Sequence, residues 1–279
     1  MRRSKRNIQQ DLTIESTRDE SQILDGNHRN EGENVIKSKY FKTDEEKPSC
    51  SSPTVSQTRN TVCKTNIALK RTDFEKDGLQ QAKYLLGKII NVCHEGSFMR
   101  GRIVETEAYL GVNDKACHAY GEKRTERTEA MYMTEGTSYV YSIYGMYNCL
   151  NISSSSYGGA TLIRALEPLE GIEKMRKNRE KSKKTVGKTV KTKDICNGPS
   201  KLCQAMGITK QEFNRVDMVE NNDFFVSDDG WKTEEVVVCK RIGVEGYGED
   251  AANKPYRFYV KGNANVSVIN KKAEQEMTT

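Results

Sequence analysis

The stretch Gly101-Arg-Ile-Val-Glu-Thr-Glu-Ala-Tyr-Leu-Gly111 places two acidic side chains and a tyrosine in a segment of strand-forming residues. Side chains alternate between the two faces of a strand, so Glu105, Glu107 and Tyr109 are expected to share one face. The β-branched Val104 favours a strand with at least one packed side, where an acidic side chain needs a partner or a chemical role. An exposed acidic face is the alternative interpretation, because glutamate is rarely fully buried.

The composition of the whole chain bounds its class. Of the 279 residues, 35% are hydrophobic and 30% are charged, so part of the chain is expected to lack a packed core. No apolar run approaches the roughly 18 residues of a membrane helix, and the N-terminus lacks the apolar core of a secretory signal. The eight cysteines form no Cys-x-x-Cys pair and there are three histidines, which predicts reduced thiols and no metal site. We therefore expect an intracellular protein without a membrane segment.

Basic residues cluster in two places, although the net charge is only +6. The first cluster, residues 1–6, is compatible with a nuclear address and equally with a solvated basic tail. The second, residues 174–193, resembles a helix end that runs into a loop. Such runs are usually solvated, but beside a nucleic acid they add salt-sensitive affinity.

The pattern of elements predicts one folded unit. Residues 1–72 predict a disordered, basic and polar N-terminal tail, the folded domain is placed at 73–272, and a C-terminal tail at 273–279. We expect the α+β class: a single mixed domain around a curved, mainly antiparallel β-sheet with surrounding helices and a protruding β-hairpin. The predicted strands are 88–93, 98–109, 138–143, 147–152, 160–166, 235–241 and 256–260, and the predicted helices are 77–87, 169–179 and 197–207.

The hairpin carries four tyrosines in the stretch 139–147. Tyr144-Gly145-Met146 is its predicted turn, with the glycine supplying a permissive backbone, so Tyr144 lies at a protruding tip. For Tyr139, the favoured interpretation is a packed aromatic face of the sheet, because aromatic side chains are ordinary sheet residues. An exposed aromatic wedge on a basic protein suits insertion into the minor groove, where it takes the space of an extruded nucleotide.

Five motifs in this order closely resemble the alkyladenine (methylpurine) DNA glycosylases, and the resemblance covers residues 78 to 272. The motifs are Gly101–Tyr109, the loop of His118, Tyr139–Tyr147, Leu162–Pro168 and Asn197–Ala205. The resemblance implies a monofunctional enzyme of base excision repair that flips damaged purines out of double-stranded DNA and hydrolyses the N-glycosidic bond. It implies substrates such as 3-methyladenine, 7-methylguanine, hypoxanthine and ethenoadenine, no cofactor, a monomer, and a nuclear location with the mitochondrion as a second compartment.

Carried over position by position, the resemblance assigns the catalytic acid to Glu107 and not to Glu105. Glu107 would activate the attacking water, Arg164 would hold that water or the adjacent phosphate, and the backbone of Ile242 would supply another water contact. A carboxylate can take the water proton and offset positive charge on the sugar. A nearby arginine would keep the acid ionised, although Arg164 could instead pair with Glu105 or Glu167.

The resemblance also implies how a flipped base is held. Tyr109 on one side, with His118 and Tyr141 on the other, would sandwich the base, and Asn151 would crowd the amino group of normal guanine. Tyrosine faces are electron-rich and suit electron-poor alkylated purines. A solvated loop residue is the alternative for His118. The wedge would be Tyr144 flanked by Met146 and Tyr147, and the candidate DNA-backbone contacts are Thr125, Arg127, Lys201 and Lys210.

The sequence departs from the family pattern in two places. Thr125-Glu-Arg-Thr128 stands where Thr-Pro-Arg-Asn is expected, and Asn148 replaces a bulky apolar residue. A non-catalytic DNA-damage-binding protein with the same pocket is therefore the alternative function. A third reading, by fold analogy, is the tRNA-binding domain appended to formyl-transfer enzymes, which would need neither the acid nor the wedge.

Overall fold

The computed structural model describes residues 67–181, 189–233 and 235–277. Nine strands lie in this part of the chain: β1 Ile67–Ala68, β2 Ile89–His94, β3 Ser97–Tyr109, β4 Ser138–Ile143, β5 Tyr147–Ser153, β6 Ala160–Glu170, β7 Phe224–Asp228, β8 Val236–Cys239 and β9 Arg257–Val260. The helices of the same ranges are α1 Arg71–Phe74, α2 Gly78–Tyr84, α3 Ile172–Lys181, α4 Pro199–Met206, α5 Lys210–Phe213, α6 Glu249–Asn253 and α7 Lys271–Glu276.

All nine strands join one open sheet in the order β1-β7-β2-β3-β6-β5-β4, with β9 also on β3 and β8 on β9. The pairings between these strands are antiparallel, which confirms the predicted α+β class and the antiparallel sheet. Strand β3 is the centre: β6 pairs along one edge, while β2 and then β9 pair along the other. Residues 101–108 of β3 are buried, so the interpretation of an exposed acidic face is wrong.

The ladder between β3 and β6 contains paired register shifts in its middle. Ile103 pairs with Leu166, Glu105 with Ala165, and Thr106 with Ile163. Val104 on one strand and Arg164 on the other therefore lack a partner in this ladder. Because such irregularities re-aim side chains, they affect where Arg164 points relative to the two acids of β3.

Helix α2 packs against the face of β3 that carries Thr106, opposite the face of Glu105 and Glu107. The Asp77 side chain caps it by accepting hydrogen bonds from the backbone N–H groups of Leu79 and Gln80, both 2.9 Å. The Thr106 hydroxyl of β3 donates to the Ala82 carbonyl of α2 at 2.7 Å. This contact fixes Thr106 toward α2 and leaves its neighbours Glu105 and Glu107 on the other face.

Two predicted boundaries need correction. Residues 67–72, assigned to the tail, belong to the fold, because β1 pairs with β7 and the Leu69 side chain is buried in the core. Helix α7 extends into the predicted C-terminal tail, and its Glu274 accepts a hydrogen bond from the Tyr259 hydroxyl at 2.9 Å. The other tail residues, 1–66, and residues 182–188 of the basic run lie outside the described ranges.

Strand β6 was predicted to end at Leu166, before a Glu-Pro pair, but it continues to Glu170. Pro168 pairs with Gly101 directly beside another register shift of the β3/β6 ladder, where the regular hydrogen-bond pattern is already interrupted. Strand β7 was not predicted, because its five residues lie between polar segments without a sustained alternation.

Three further expectations concern thiols, membranes and metals. The six cysteines of the described ranges are free, and all except Cys93 are buried, as predicted. No helix in the described part of the chain has the length and apolarity to span a membrane. Among the same residues, no three His, Cys, Asp or Glu side chains form a cluster suited to a metal ion.

Candidate active site

Glu107 lies in the centre of the sheet with its side chain fully buried, at 0% exposure. Its Oε1 accepts the Ile242 backbone N–H at 2.8 Å and lies 3.1 Å from Nη1 of Arg164. Its Oε2 accepts the Tyr109 hydroxyl at 2.9 Å. The structure thus brings together Glu107, Arg164 and Ile242, with three donors around one carboxylate.

Arg164 bridges the two acids of β3. Its Nε is 3.1 Å from Oε1 of Glu105, while its Nη1 contacts Glu107. Burial opposes the charge of Arg164, but the carboxylates of Glu107 and Glu105 outweigh burial and raise its pKa. From the sequence, an ion pair between Arg164 and Glu105 and a role of Arg164 beside Glu107 were alternatives. The structure contains both contacts.

Glu105 is held by groups that sequence reasoning missed. Nη1 of Arg257 donates to its Oε1 at 2.8 Å, and the Ser267 backbone N–H donates to its Oε2 at 2.7 Å. Both partners lie more than 150 residues further along the chain, where no local motif marks them. The result is a buried chain of alternating charges, Arg257–Glu105–Arg164–Glu107, which we call the charge chain.

Tyr109 is supported from behind by a second buried ion pair. The Arg241 guanidinium lies 4.8 Å from the centroid of the Tyr109 ring and binds both oxygens of Asp114, at 2.5 and 2.9 Å. Burial and the adjacent Glu107 raise the pKa of Tyr109, so its hydroxyl stays protonated and donates. Since Arg241 directly precedes Ile242, this pair anchors two of the groups that contact Glu107.

A cavity of about 230 Å³ opens beside these groups. Its lining includes six residues to which the sequence assigns a role: Tyr109, His118, Tyr141, Asn151, Arg164 and Ile242. It also includes side chains without a predicted role, among them Met131, Cys149, Pro199 and Tyr247. Of these, Cys149 could have been identified as a cavity residue from the sequence, because it pairs with Tyr141 in the predicted hairpin.

Another part of the cavity lining, which we call the cavity wall, combines His118 with Tyr141 of β4. His118 Nδ1 and the Tyr139 hydroxyl share a hydrogen bond of 2.8 Å, and the His118 ring meets the Tyr141 ring edge-on, with centroids 4.7 Å apart. Burial, together with the cations of Arg127 and Lys123, lowers the pKa of His118 to about 4. At neutral pH the wall therefore presents an uncharged imidazole.

Asn151 also lines the cavity. It is buried, and its Nδ2 donates to the Tyr139 carbonyl at 3.1 Å. The amide is therefore fixed in orientation inside the cavity, as a rigid steric feature requires.

Comparison with known families decides the relationship of this chain. A model of the family described as methylpurine-DNA glycosylase matches residues 72–264. The chain belongs to the methylpurine-DNA glycosylase family. A protein of Encephalitozoon cuniculi named "Probable DNA-3-methyladenine glycosylase" is 48% identical over 195 residues, which cover 69% of this chain and 89% of that protein. The human protein named "DNA-3-methyladenine glycosylase" is 44% identical over 207 residues, or 73% of this chain and 69% of the human one.

The predicted wedge of this methylpurine-DNA glycosylase family member projects from the β4–β5 hairpin, whose strands match the prediction within one residue. Tyr144 is 88% exposed, and Met146 and Tyr147 beside it are also exposed. Tyr144 and Gly145 both have left-handed backbones, with φ of 52° and 68°. Left-handed backbone angles are uncommon for a non-glycine residue. Here they form the tight turn at whose tip Tyr144 lies.

The four candidate DNA-backbone residues of this family member lie in different settings. Arg127 faces the cavity wall, with its guanidinium 5.3 Å from the Tyr141 ring centroid. Thr125 and Lys210 are exposed, and Nζ of Lys201 donates to Oδ1 of Asn197 at 2.8 Å. The structure thus places Arg127 beside the cavity wall, while the contacts of all four residues with DNA stay predictions.

Proposed function

We propose that this protein is a monofunctional enzyme of base excision repair that removes alkylated or deaminated purines from double-stranded DNA and leaves an abasic site. As a member of its family, the chain is a DNA glycosylase, a hydrolase that cleaves N-glycosyl bonds. We extend the proposed substrates from 3-methyladenine to 7-methylguanine, hypoxanthine and ethenoadenine. The observation that carries the proposal is the buried Glu107 carboxylate, held by three donors and paired with Arg164, which lines the cavity.

In the proposed reaction, the flipped base lies between Tyr109 and the wall of His118 and Tyr141. Glu107 takes a proton from water as the water attacks the anomeric carbon, and its negative charge stabilises the positive charge that grows on the sugar. Arg164 orients the carboxylate or the water. The Ile242 N–H donates to Glu107 directly in this structure, so its contact with the attacking water belongs to the proposal.

Selection against normal guanine is assigned to Asn151. Its amide is tied to the Tyr139 carbonyl, so it cannot rotate away at low cost from an exocyclic amino group. The neutral His118 suits both neutral and alkylated purines, because no positive charge on the imidazole repels a cationic base. No organic cofactor enters this scheme, and no lysine is assigned the amine role that strand cleavage would need.

The rival function is a damage-binding protein without turnover. It needs the aromatic walls and the wedge, but it has no use for an acid that is buried beside an arginine at the cavity. The tRNA-binding reading by fold analogy requires none of these groups. We further propose that the enzyme acts as a monomer in the nucleus, with the mitochondrion as a second compartment.

The test is base release from a duplex that carries one hypoxanthine. We expect the labelled strand to break only after alkali treatment, because hydrolysis leaves an intact abasic strand. Strand cleavage without alkali would contradict the monofunctional mechanism. Binding without release, also on ethenoadenine and alkylated duplexes, would favour the damage-binding protein.

Tyr144→Ala tests the wedge. Stacking of an aromatic side chain on a base contributes ~1–3 kcal/mol, so single-turnover excision from a duplex is expected to fall roughly 10- to 100-fold. The melting temperature should be unchanged, because the tyrosine is 88% exposed. Tyr157→Ala removes another exposed tyrosine and serves as the matched control. Equal losses in both variants would contradict a specific role for Tyr144.

A further inference from the structure

Arg215 connects two segments that are distant in the chain. Its Nη2 donates to the Glu126 backbone carbonyl at 2.6 Å and lies 2.8 Å from a carboxylate oxygen of the same residue. Glu126 is the acid that departs from the family pattern in the loop after His118. A single guanidinium therefore holds both the backbone and the side chain of the departing residue.

The backbone of Arg215 is unusual. It is one of the non-glycine residues with a left-handed conformation, at a φ of 65°. A long side chain is disfavoured there, and an observed outlier of this kind motivates a functional hypothesis. Glycine, the residue best suited to this backbone, has no side chain and could not contact Glu126.

The segment of Arg215 is tied to β4, the strand that carries the cavity wall. The Arg215 N–H donates to the Ser138 carbonyl, and the Ser138 N–H donates to the Val216 carbonyl, both at 2.9 Å. The Val140 N–H donates to Oδ1 of Asn214 at 3.0 Å. Arg215 is thus fixed relative to the strand that presents Tyr139 and Tyr141.

The loop held by Arg215 is ordered within itself by Thr128. Its hydroxyl accepts the Thr125 N–H at 2.8 Å and donates to the Lys123 carbonyl at 2.9 Å. Internal bonds set the shape of a loop but not its position on the protein. The neighbour of Glu126, Arg127, lies with its guanidinium 5.3 Å from the Tyr141 ring centroid, so the position of this loop decides where a cation meets the cavity wall.

We infer that Arg215 is a positioning residue for damage recognition: by holding Glu126 against β4, it sets Arg127 at the cavity wall, where Arg127 contacts the phosphate of the flipped nucleotide. This inference rests on the proposed function. The guanidinium also offsets the negative charge of Glu126, which would otherwise repel the DNA backbone. The Glu126 side chain is 91% exposed, so the ion pair contributes little to fold stability, and its effect is expected in binding.

The experiment measures dissociation constants for a fluorescein-labelled duplex with one ethenoadenine and for the same duplex unmodified. The background is Glu107→Gln, which prevents turnover. Arg215→Gly suits the local backbone and is expected to weaken lesion binding about fivefold, with unmodified DNA changed less than twofold. Arg215→Lys should restore part of the loss, because one ammonium can reach one of the two acceptors.

The decisive comparison uses Arg127→Gln. If Arg215 acts through Arg127, the double variant Arg127→Gln/Arg215→Gly binds the lesion no more weakly than Arg127→Gln alone. Additive losses, or equal losses on modified and unmodified DNA, overturn the inference and indicate a direct contact between Arg215 and phosphate. Absence of selective lesion binding overturns it as well. Base release by the protein with Glu107 intact is scored separately, so failure of the glycosylase proposal is distinguishable from failure of the positioning role.

Discussion

Glu107→Gln is expected to lower base release from a hypoxanthine duplex by roughly 100- to 10,000-fold, the range supplied by a general base. Glutamine has the same size, and its oxygen can still accept the Ile242 N–H that Glu107 accepts at 2.8 Å. It can neither take a proton from water nor offset positive charge on the sugar. Single-turnover excision followed by alkali measures the loss.

Two readouts make this result specific. The variant should still bind the lesion duplex, because the aromatic walls and the wedge are intact. Glu170→Gln on β6 is the control, since Glu170 is 55% exposed and its ion pair with Arg100 has a separation of 3.6 Å. Release by Glu107→Gln within tenfold of the unchanged protein would remove Glu107 from the catalytic role.

Glu105→Ala is expected to cost about 3–5 kcal/mol of the free energy of unfolding, the range for removing one partner of a buried ion pair. The substitution deletes the shared acceptor of Arg164 and Arg257, whose side chains are almost fully buried. For a domain of this size the melting temperature should fall by about 6–20 °C. Thermal and urea unfolding measure both quantities.

Glu170→Ala again provides the contrast, because a surface pair contributes at most about 1 kcal/mol. A loss below about 1 kcal/mol for Glu105→Ala would show that the charge chain does not stabilise the fold. In that case its remaining role would be the orientation of Arg164 beside Glu107, and excision would fall without a change in the melting temperature.

Local patterns predicted the elements that carry the site. The alternation in β3, the glycine turn of the hairpin and the helical spacing that follows Asp77 each depend on a few neighbouring residues, and the structure contains all three. The resemblance supplied Arg164 and Ile242, which the structure places within 3.1 Å of Glu107. Their roles in catalysis stay predictions.

Other features required the folded chain. Arg241 and Asp114 are 127 residues apart, and Arg257 and Glu105 are 152 apart, so neither pair leaves a periodic signal. The ion pair between Arg215 and Glu126 involves a residue with a left-handed backbone, and the sequence around Arg215 does not indicate that conformation. The predicted strand β6 ended before Pro168, because proline cannot donate a hydrogen bond in a regular ladder. The ladder between β3 and β6 has a register shift beside Pro168, so the strand continues through it.

The paired register shifts of β3 and β6 limit which insertions and deletions of residues these two strands can accept. Val104 is an extra residue on β3 and Arg164 is an extra residue on β6. The two insertions compensate each other, so the pairs on either side of them have the same register. Deletion of Val104 would reverse the facing of the preceding residues relative to those that follow. Glu107 would then turn toward α2, or the hydrophobic side chains of 99–103 would turn out of the core. Single-residue insertions or deletions within 103–107 and 162–166 are therefore expected to disrupt the sheet around Glu107.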